Sequence, residues 1–251
     1  MKEALDFSQL ANRWRSCHVL KRCECLLSLA SRMRKDSIHK EDNLQSRLIQ
    51  YQARCTASLI SDSQPLDGPT GESNELYFVP KGLVVLLVDS EQCDMSLDEH
   101  KQQQLEAAAL AMLSAALTAG NSVLFVINDQ ALCSVVESIN QWYCLAQPLV
   151  SALPISALPI VATLPTAQLS NQQLAQASVV GFVGSQSACW QLNRQLSLLE
   201  GPIISLVAET DLDNIPSAYS PHLALQFMVE KTRTINLAAV GGNASLLQSG
   251  N

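Results

Sequence analysis

Glu209 is the best-placed carboxylate in this chain for acid–base work, because it follows directly on Pro202–Val207, an apolar run that reads as a strand. Open α/β sheets place their sites at the carboxyl ends of strands. No histidine or activated nucleophile stands near it in sequence. Asp211 with Asp213, and Asp94 with Asp98, read as solvated surface or caps, and His18, His39, His100 and His222 form no set. The eight cysteines are Cys17, Cys23, Cys25, Cys55, Cys93, Cys133, Cys144 and Cys189. Cys17-His18 with Cys23 and Cys25 comes nearest to a metal-ligand spacing. On a helix, however, Cys23 and Cys25 point to nearly opposite sides, and no CxxC or HxxxH completes four ligands. No metal site is expected.

The dinucleotide fingerprint GxGxxG, the Walker phosphate loop and the nucleophile elbow GxSxG are absent. Gly184-Ser185, between a strand and a helix, is an anion-contacting type of turn, since helix N-termini offer free N–H groups. Gly68 to Asn74 has glycine but no lysine, and reads as a turn opening a β-hairpin arm. Between Lys101 and Lys231 the only basic residue is Arg194. A pyrophosphate site ordinarily recruits a positive side chain as well as backbone amides. The body thus reads as a nucleotide-binding type of fold without the equipment.

The elements that position these groups start with an amphipathic helix over Phe7 to Arg34, its apolar face carrying Leu10, Trp14, Cys17, Leu20 or Lys21, Leu27 and Ala30. A second helix is capped by Asp42 or Asn43 and runs to about Leu59. Strands and helices then alternate. Leu83–Val88 is a continuous apolar strand, Asp98–Ala119 a helix stopped by Gly120-Asn121, and Ser122–Ile127 a strand. Leu132–Leu145 reads as a helix, Pro159–Ala162 as a strand and Asn171–Ala177 as a short helix. Ser178–Val183 is a strand leading through Gly184-Ser185 into a helix to Leu199. Pro202–Val207 is the next strand and Tyr219–Lys231 a last helix. This order predicts a parallel, doubly wound, Rossmann-like sheet with an N-terminal helical layer. The tail closes with the alternating run Thr232–Leu237, suited to a half-buried strand, and the step Gly241-Gly242-Asn243.

Composition narrows the partners. Residues 1–60 carry 11 Lys/Arg against 6 Asp/Glu, a balance of +5, and residues 61–251 carry 5 against 17, a balance of −12, giving the net −7 of the 251-residue chain. A basic head on an acidic body is self-complementary or steers a partner. The basic residues lie at helical spacing without glycine or aromatic interleaving, which argues against nucleic acid. Pro148, Pro154, Pro159 and Pro165 interrupt the most apolar stretch, so no membrane span is expected. A polar N-terminus without a secretory signal, and scattered reduced thiols, point to the cytoplasm.

Gly68-Pro69-Thr70-Gly71-Glu72-Ser73-Asn74-Glu75-Leu76 resembles the GPTGESNEL segment of the bacterial proline utilization A family, bifunctional proline-to-glutamate enzymes. Glu230–Asn236 with Ala239–Leu246 resembles the C-terminal motif of that family's longer members. Ala119-Gly120-Asn121-Ser122-Val123, Val183-Gly184-Ser185 and Leu206–Thr210 are similar to landmarks of the aldehyde dehydrogenase NAD-binding domain. Departures accompany the matches. The oxyanion Asn of a PWNFP-like segment is replaced in Asp89-Ser90-Glu91-Gln92-Cys93, Val126 lies near the cofactor-contacting Lys, and Asp211-Leu212 stands for the glycine pair after the general-base position held by Glu209. No cysteine stands in a GQRC-like motif, so covalent aldehyde oxidation has no nucleophile here.

The resemblance implies the family's non-catalytic, C-terminal aldehyde-dehydrogenase-like domain. Its expected organisation is N-terminal helices over 1–62, a first β-flap segment over 63–80, a decayed Rossmann-like domain over 81–231, and a flap strand with tail motif over 232–251. Its implied role is to dock on the 1-pyrroline-5-carboxylate dehydrogenase domain of proline utilization A and help close the substrate-channelling cavity. The expected partner is the proline utilization A catalytic chain, or a second copy through the β-flap. Glu72, Asn74, Thr232, Thr234, Asn236, Gly241, Gly242 and Asn243 are the expected interaction residues. Glu209 is then a remnant of the general base, Gly184, Ser185 and Glu209 line a vestigial cleft, and no cofactor is expected. The alternative is a reduced-size, NAD-dependent 1-pyrroline-5-carboxylate or aldehyde dehydrogenase.

Overall fold

The computed structural model describes residues 14–36, 43–60, 62–69, 71–89, 99–126, 161–164 and 166–237. The expected helix Leu132–Leu145, the Asp94–Asp98 pair, Gly241, Gly242 and Asn243 lie outside the described residues. Helix α1 is Val19–Asp36 and α2 is Leu44–Ile60. Strands β1 (Gln64–Leu66), β2 (Glu72–Pro80) and β3 (Leu83–Val88) follow, then α3 (Glu99–Thr118), β4 (Ser122–Val126) and β5 (Val161–Leu164). The remainder is α4 (Asn171–Ala175), β6 (Val179–Val183), α5 (Gln186–Ser197), β7 (Ser205–Glu209) and β8 (Met228–Asn236), with two 3-10 helices, Pro216–Tyr219 and Leu223–Phe227, before β8.

Five strands form a parallel sheet in the order β5-β4-β3-β6-β7. The apolar run of β3 serves both faces by simple alternation. Val84, Leu86 and Val88 pack toward α1, α2 and α3, while Val85 and Leu87 pack toward α4 and α5 with Leu174, Cys189, Leu192 and Leu196. The expected doubly wound α/β sheet is therefore present. Helix α3 is buried all round from Ala107 to Leu117, its alanines letting the sheet and the N-terminal helices approach from both sides.

The end of α3 explains why the N-terminal helices belong to this core. Asn121 N–H donates to Ala116 O (3.1 Å) and Gly120 N–H to Leu117 O (2.9 Å), with Gly120 at φ 98°. This pair of bonds is a Schellman closure, which requires a left-handed residue and so selects glycine. Two side chains from the head complete it. Trp14 Nε1 donates to Leu117 O (2.6 Å) and the buried Arg22 Nε to Thr118 O (2.8 Å). A cation at a helix C-terminus complements its dipole. Gln52 of α2 donates to Ala218 O (2.8 Å) and Ser220 O (3.1 Å), fixing the loop after β7.

Three expectations need correction. The first helix is not continuous from Phe7 to Arg34: the chain breaks at Cys17-His18 and restarts at Val19. The break changes the helical phase, so Val19, Cys23, Leu26, Leu29 and Ala30 are buried, whereas Leu27 is only partly so. Tyr219–Lys231 is not a helix. It runs from the end of one 3-10 helix at Tyr219 through Ser220-Pro221-His222 into a second, Leu223–Phe227, and then into β8 at Met228. Nine cross-strand pairs with β2 outweigh the helical spacing of Leu223, Phe227 and Lys231. Lastly, β8 is not half-buried, since only Met228 is inside.

Candidate functional site

The carboxyl ends of β3, β6 and β7 form the crevice where an open α/β sheet places a ligand, at the point where strand order reverses between β3 and β6. Here β3 and the turn after β6 approach closely. Asp89 N–H donates to Val183 O (2.9 Å), and Asp89 Cβ sits 2.8 Å from where a Cβ on Gly184 would be. Phe182 Cζ would lie 3.0 Å from the same atom. Gly184 is thus required by the close approach of β3, and any side chain there would collide with Asp89. Ser185 is the N-cap of α5: its Oγ accepts from Ala188 N–H (3.3 Å) and lies 3.2 Å from Ser187 Oγ.

Glu209 lies next to this turn, and Gly184 N–H donates to its carbonyl (3.1 Å). Its side chain is only 2% exposed. Oε1 accepts from Asp211 N–H (3.0 Å) and Oε2 from Ser217 N–H (2.7 Å). Both oxygens therefore tie the β7 loop to the following 3-10 helix. An acid or base has to reach a proton on a substrate, and this carboxylate faces backbone amides of its own chain. Asp211, just beyond, closes a turn of its own, accepting from Asp213 N–H, Asn214 N–H and Asn214 Nδ2, bonds that hold its carboxyl below the usual value. Arg194, the one nearby cation in sequence, sits in the last turn of α5, at the end of the helix away from Ser185.

The second candidate surface is the flap, an antiparallel sheet in the order β1-β2-β8. Glu72 pairs with Asn236, Asn74 with Thr234 and Leu76 with Thr232. Side chains of directly paired residues share a face, so Glu72, Asn74, Thr232, Thr234 and Asn236 all lie on one side. Phe78 and Met228 continue that side at the root, where they pack on the core. Farther out the same side leaves the body as an overhang, with Leu66 beside Asn74. Thr234 Oγ1 donates to Asn74 Oδ1 (2.5 Å), and Leu237 N–H closes the tip on Gly71 O (2.7 Å). On the opposite side Arg233 pairs with Glu75 at 2.5 Å and lies 5.9 Å from the centre of the Tyr77 ring. Val229, Ile235 and Leu237 are all exposed.

The sequence reading did not assign Asn121 its structural part. Fully buried, it accepts from Gly82 N–H through Oδ1 (2.9 Å) and donates through Nδ2 to Ala116 O (3.0 Å) and Phe227 O (3.1 Å). One amide thus joins the end of α3, the β2–β3 turn and the root of β8. The only signal in the sequence was its place after a helix-stopping glycine. Among the described residues no group of His, Cys, Asp and Glu could hold a metal ion, and no helix is long and apolar enough to cross a membrane.

This arrangement is an α/β fold of the aldehyde dehydrogenase type. The crystal structure of PnpE in complex with nicotinamide adenine dinucleotide superimposes with a TM-score of 0.59 at 15% identity, covering 81% of this chain and 42% of that one. The likeness to proline utilization A is greater in sequence. A mutant of the Bradyrhizobium japonicum protein superimposes with a TM-score of 0.62 at 23% identity, over 81% of this chain and 21% of that one. The bifunctional protein PutA of Escherichia coli (strain K12) is 26% identical over 205 residues, 80% of this chain. The present chain spans 13% of that protein's length. No protein-family model matches. The chain is similar in sequence to part of PutA, and its fold is shared with these structures.

Proposed function

We propose that this chain is a non-catalytic assembly module of proline catabolism. It docks through its flap on the 1-pyrroline-5-carboxylate dehydrogenase domain of a proline utilization A catalytic chain and helps close the channelling cavity. The observation that carries this reading is the contrast at the two candidate surfaces. Glu209 is buried and committed to backbone amides, while β8 beyond Met228 is exposed along its whole length. An exposed, regular strand rimmed by Val229, Ile235 and Leu237 is the kind of surface that proteins cover with a partner. The test is co-purification with that catalytic chain, followed by coupled proline-to-glutamate turnover with and without this protein. Complex formation and improved coupling, both lost in Ile235→Glu, are expected. If no complex forms and coupling is unchanged, the reading fails. Self-association through the flap is the competing outcome, detected as a concentration-dependent mass.

NAD chemistry is the second reading, supported by the fold shared with a dinucleotide-bound protein. The described crevice fits the cofactor poorly. Asp89 lies close against Gly184, the Ser185 hydroxyl caps its own helix, and both oxygens of the buried Glu209 are taken by backbone amides, which leaves few polar groups for a pyrophosphate. Calorimetric titration with NAD decides the matter: stoichiometric binding revives the dehydrogenase, and absence of heat leaves the assembly reading alone.

A further inference from the structure

The flap sheet has two outer edges, and they differ. β1 is three residues long and pairs Pro65 with Glu75. β8 runs for nine residues in unbroken register with β2 and contains neither proline nor glycine. The two ends of β8 fix which way its backbone groups point. Lys81 N–H donates to Phe227 O (3.2 Å) and Leu237 N–H to Gly71 O (2.7 Å). Antiparallel pairs alternate between hydrogen-bonded and non-hydrogen-bonded, so Val229, Lys231, Arg233 and Ile235 bond to β2. Glu230, Thr232 and Thr234 therefore direct their N–H and C=O groups to the outer edge. By the same alternation Glu75 turns its backbone toward β8, which leaves Pro65 facing outward from β1 with no N–H to offer. Among the described residues no strand pairs with the β8 edge. Such a row of backbone groups is a template for an added strand.

The side chains along this edge select the strand. Val229, Lys231, Arg233 and Ile235 lie on one face of the sheet and are all exposed. On the outer edge they occupy non-hydrogen-bonded positions, where opposed side chains come closest. Arg233 is already met by Glu75 across the strand pair, at 2.5 Å. Lys231 lies opposite Tyr77, near the middle of the strand. A second copy adding about a two-fold axis must match outward groups with outward groups, so the axis passes through a single residue. The registers of longest overlap have their axes at Lys231, Thr232 or Arg233. They set Lys231 against Lys231, Lys231 against Arg233, or Arg233 against Arg233. Like charges directly opposite destabilise a strand pair, and opposite charges stabilise it. We propose that the β8 edge takes an antiparallel strand of another protein, with a carboxylate opposite Lys231 and apolar residues opposite Val229 and Ile235, and that Lys231 excludes a second copy of this chain. The inference rests on the flap-docking reading and adds the chemistry of the partner strand.

The test titrates the full chain into a fluorescent strand peptide built on threonine, with valines placed to face Val229 and Ile235 and a glutamate placed to face Lys231. One twin carries lysine in place of the glutamate. A second is N-methylated on the amides that would bond to the edge. Saturable binding of the glutamate peptide is expected, at least fivefold weaker for the lysine twin and absent for the N-methylated one. Lys231→Glu should reverse the preference between the charged peptides. The wild-type chain should sediment as a monomer, and Lys231→Thr should gain a concentration-dependent dimer. No saturable binding, equal binding of the N-methylated twin, or an unreversed preference would overturn the edge site. A wild-type dimer formed through the flap, or a monomeric Lys231→Thr, would overturn the exclusion of a second copy. Thr232→Pro removes one outward N–H, and a thermal melt checks its fold. A proline utilization A chain that co-purifies equally with wild type and folded Thr232→Pro would overturn strand addition while leaving flap docking intact. Peptide binding without co-purification would support the edge and defeat the docking reading.

Discussion

Strand β3 buries Val84 through Val88, whereas β8 exposes Val229 through Asn236. Both are regular strands, β3 paired on both sides and β8 along its whole length on one, yet they are stabilised differently. The parallel sheet is held by side chains interlocked on two faces. The flap is held by its backbone ladder and a few cross-strand contacts such as Thr234 with Asn74, and the side chains of β8 beyond Met228 are exposed. In the parallel sheet Glu209 and Ser185 are instead bonded to backbone amides of their own loop and helix. The two sheets thus differ in how far their side chains are committed to the core.

That difference can be broken most sharply from the sheet side. Phe125→Ala, at a fully buried position, should cost about 3–5 kcal/mol, read from the denaturation midpoint. Ile235→Ala on the flap should stay within about 0.5 kcal/mol. Similar losses at the two positions would end the distinction. Asn121→Ala comes next, because it strands Gly82 N–H and takes the amide donor from Phe227 O, which keeps Lys81 N–H. A loss of about 2–3 kcal/mol is expected, together with faster hydrogen exchange at the flap root. Glu209→Gln should cost about 1–2 kcal/mol, since an amide can accept through only one of the two contacts. The same variant should dock on its partner as wild type does, whereas a catalytic Glu209 would show as lost dehydrogenase turnover.

The smallest effect concerns pH. Burial pushes the Cys23 and Cys25 thiols up to about 11 from 9.0. A group whose folded pKa is raised contributes stability that is complete below the unfolded value. That contribution is lost as pH climbs through the folded one. Stability should therefore fall between pH 9 and about 11, and Cys23→Ala should flatten the slope. Alkylation at pH 8 should spare both thiols in the native protein and modify them after unfolding.

Most of the fold was legible because the strands are continuous apolar runs and the helices end in recognisable stops. Leu83–Val88, Ser178–Val183 and the Gly120-Asn121 stop needed no partner to be read. Asn43, one of two expected caps, does accept from Ser46 N–H (2.8 Å). The misreadings share one cause. Leu223, Phe227 and Lys231 are spaced as on a helix, but the alternative, pairing with a strand some 150 residues earlier, is invisible locally. The break at Cys17-His18 carries no glycine or proline to announce it.

The sequence by itself determined that the middle of the chain is a buried parallel sheet, since a run such as Leu83–Val88 is soluble only when both faces are covered. It also determined that the crevice is poor in positive charge, which is a matter of composition. Only the tertiary structure decided where Glu209 points, because its partners, Asp211 and Ser217, depend on how the loop returns over β7. The same holds for the flap. Whether Met228–Asn236 is helix or strand, covered or bare, follows from the register with Glu72–Pro80, and register is a property of two segments brought together.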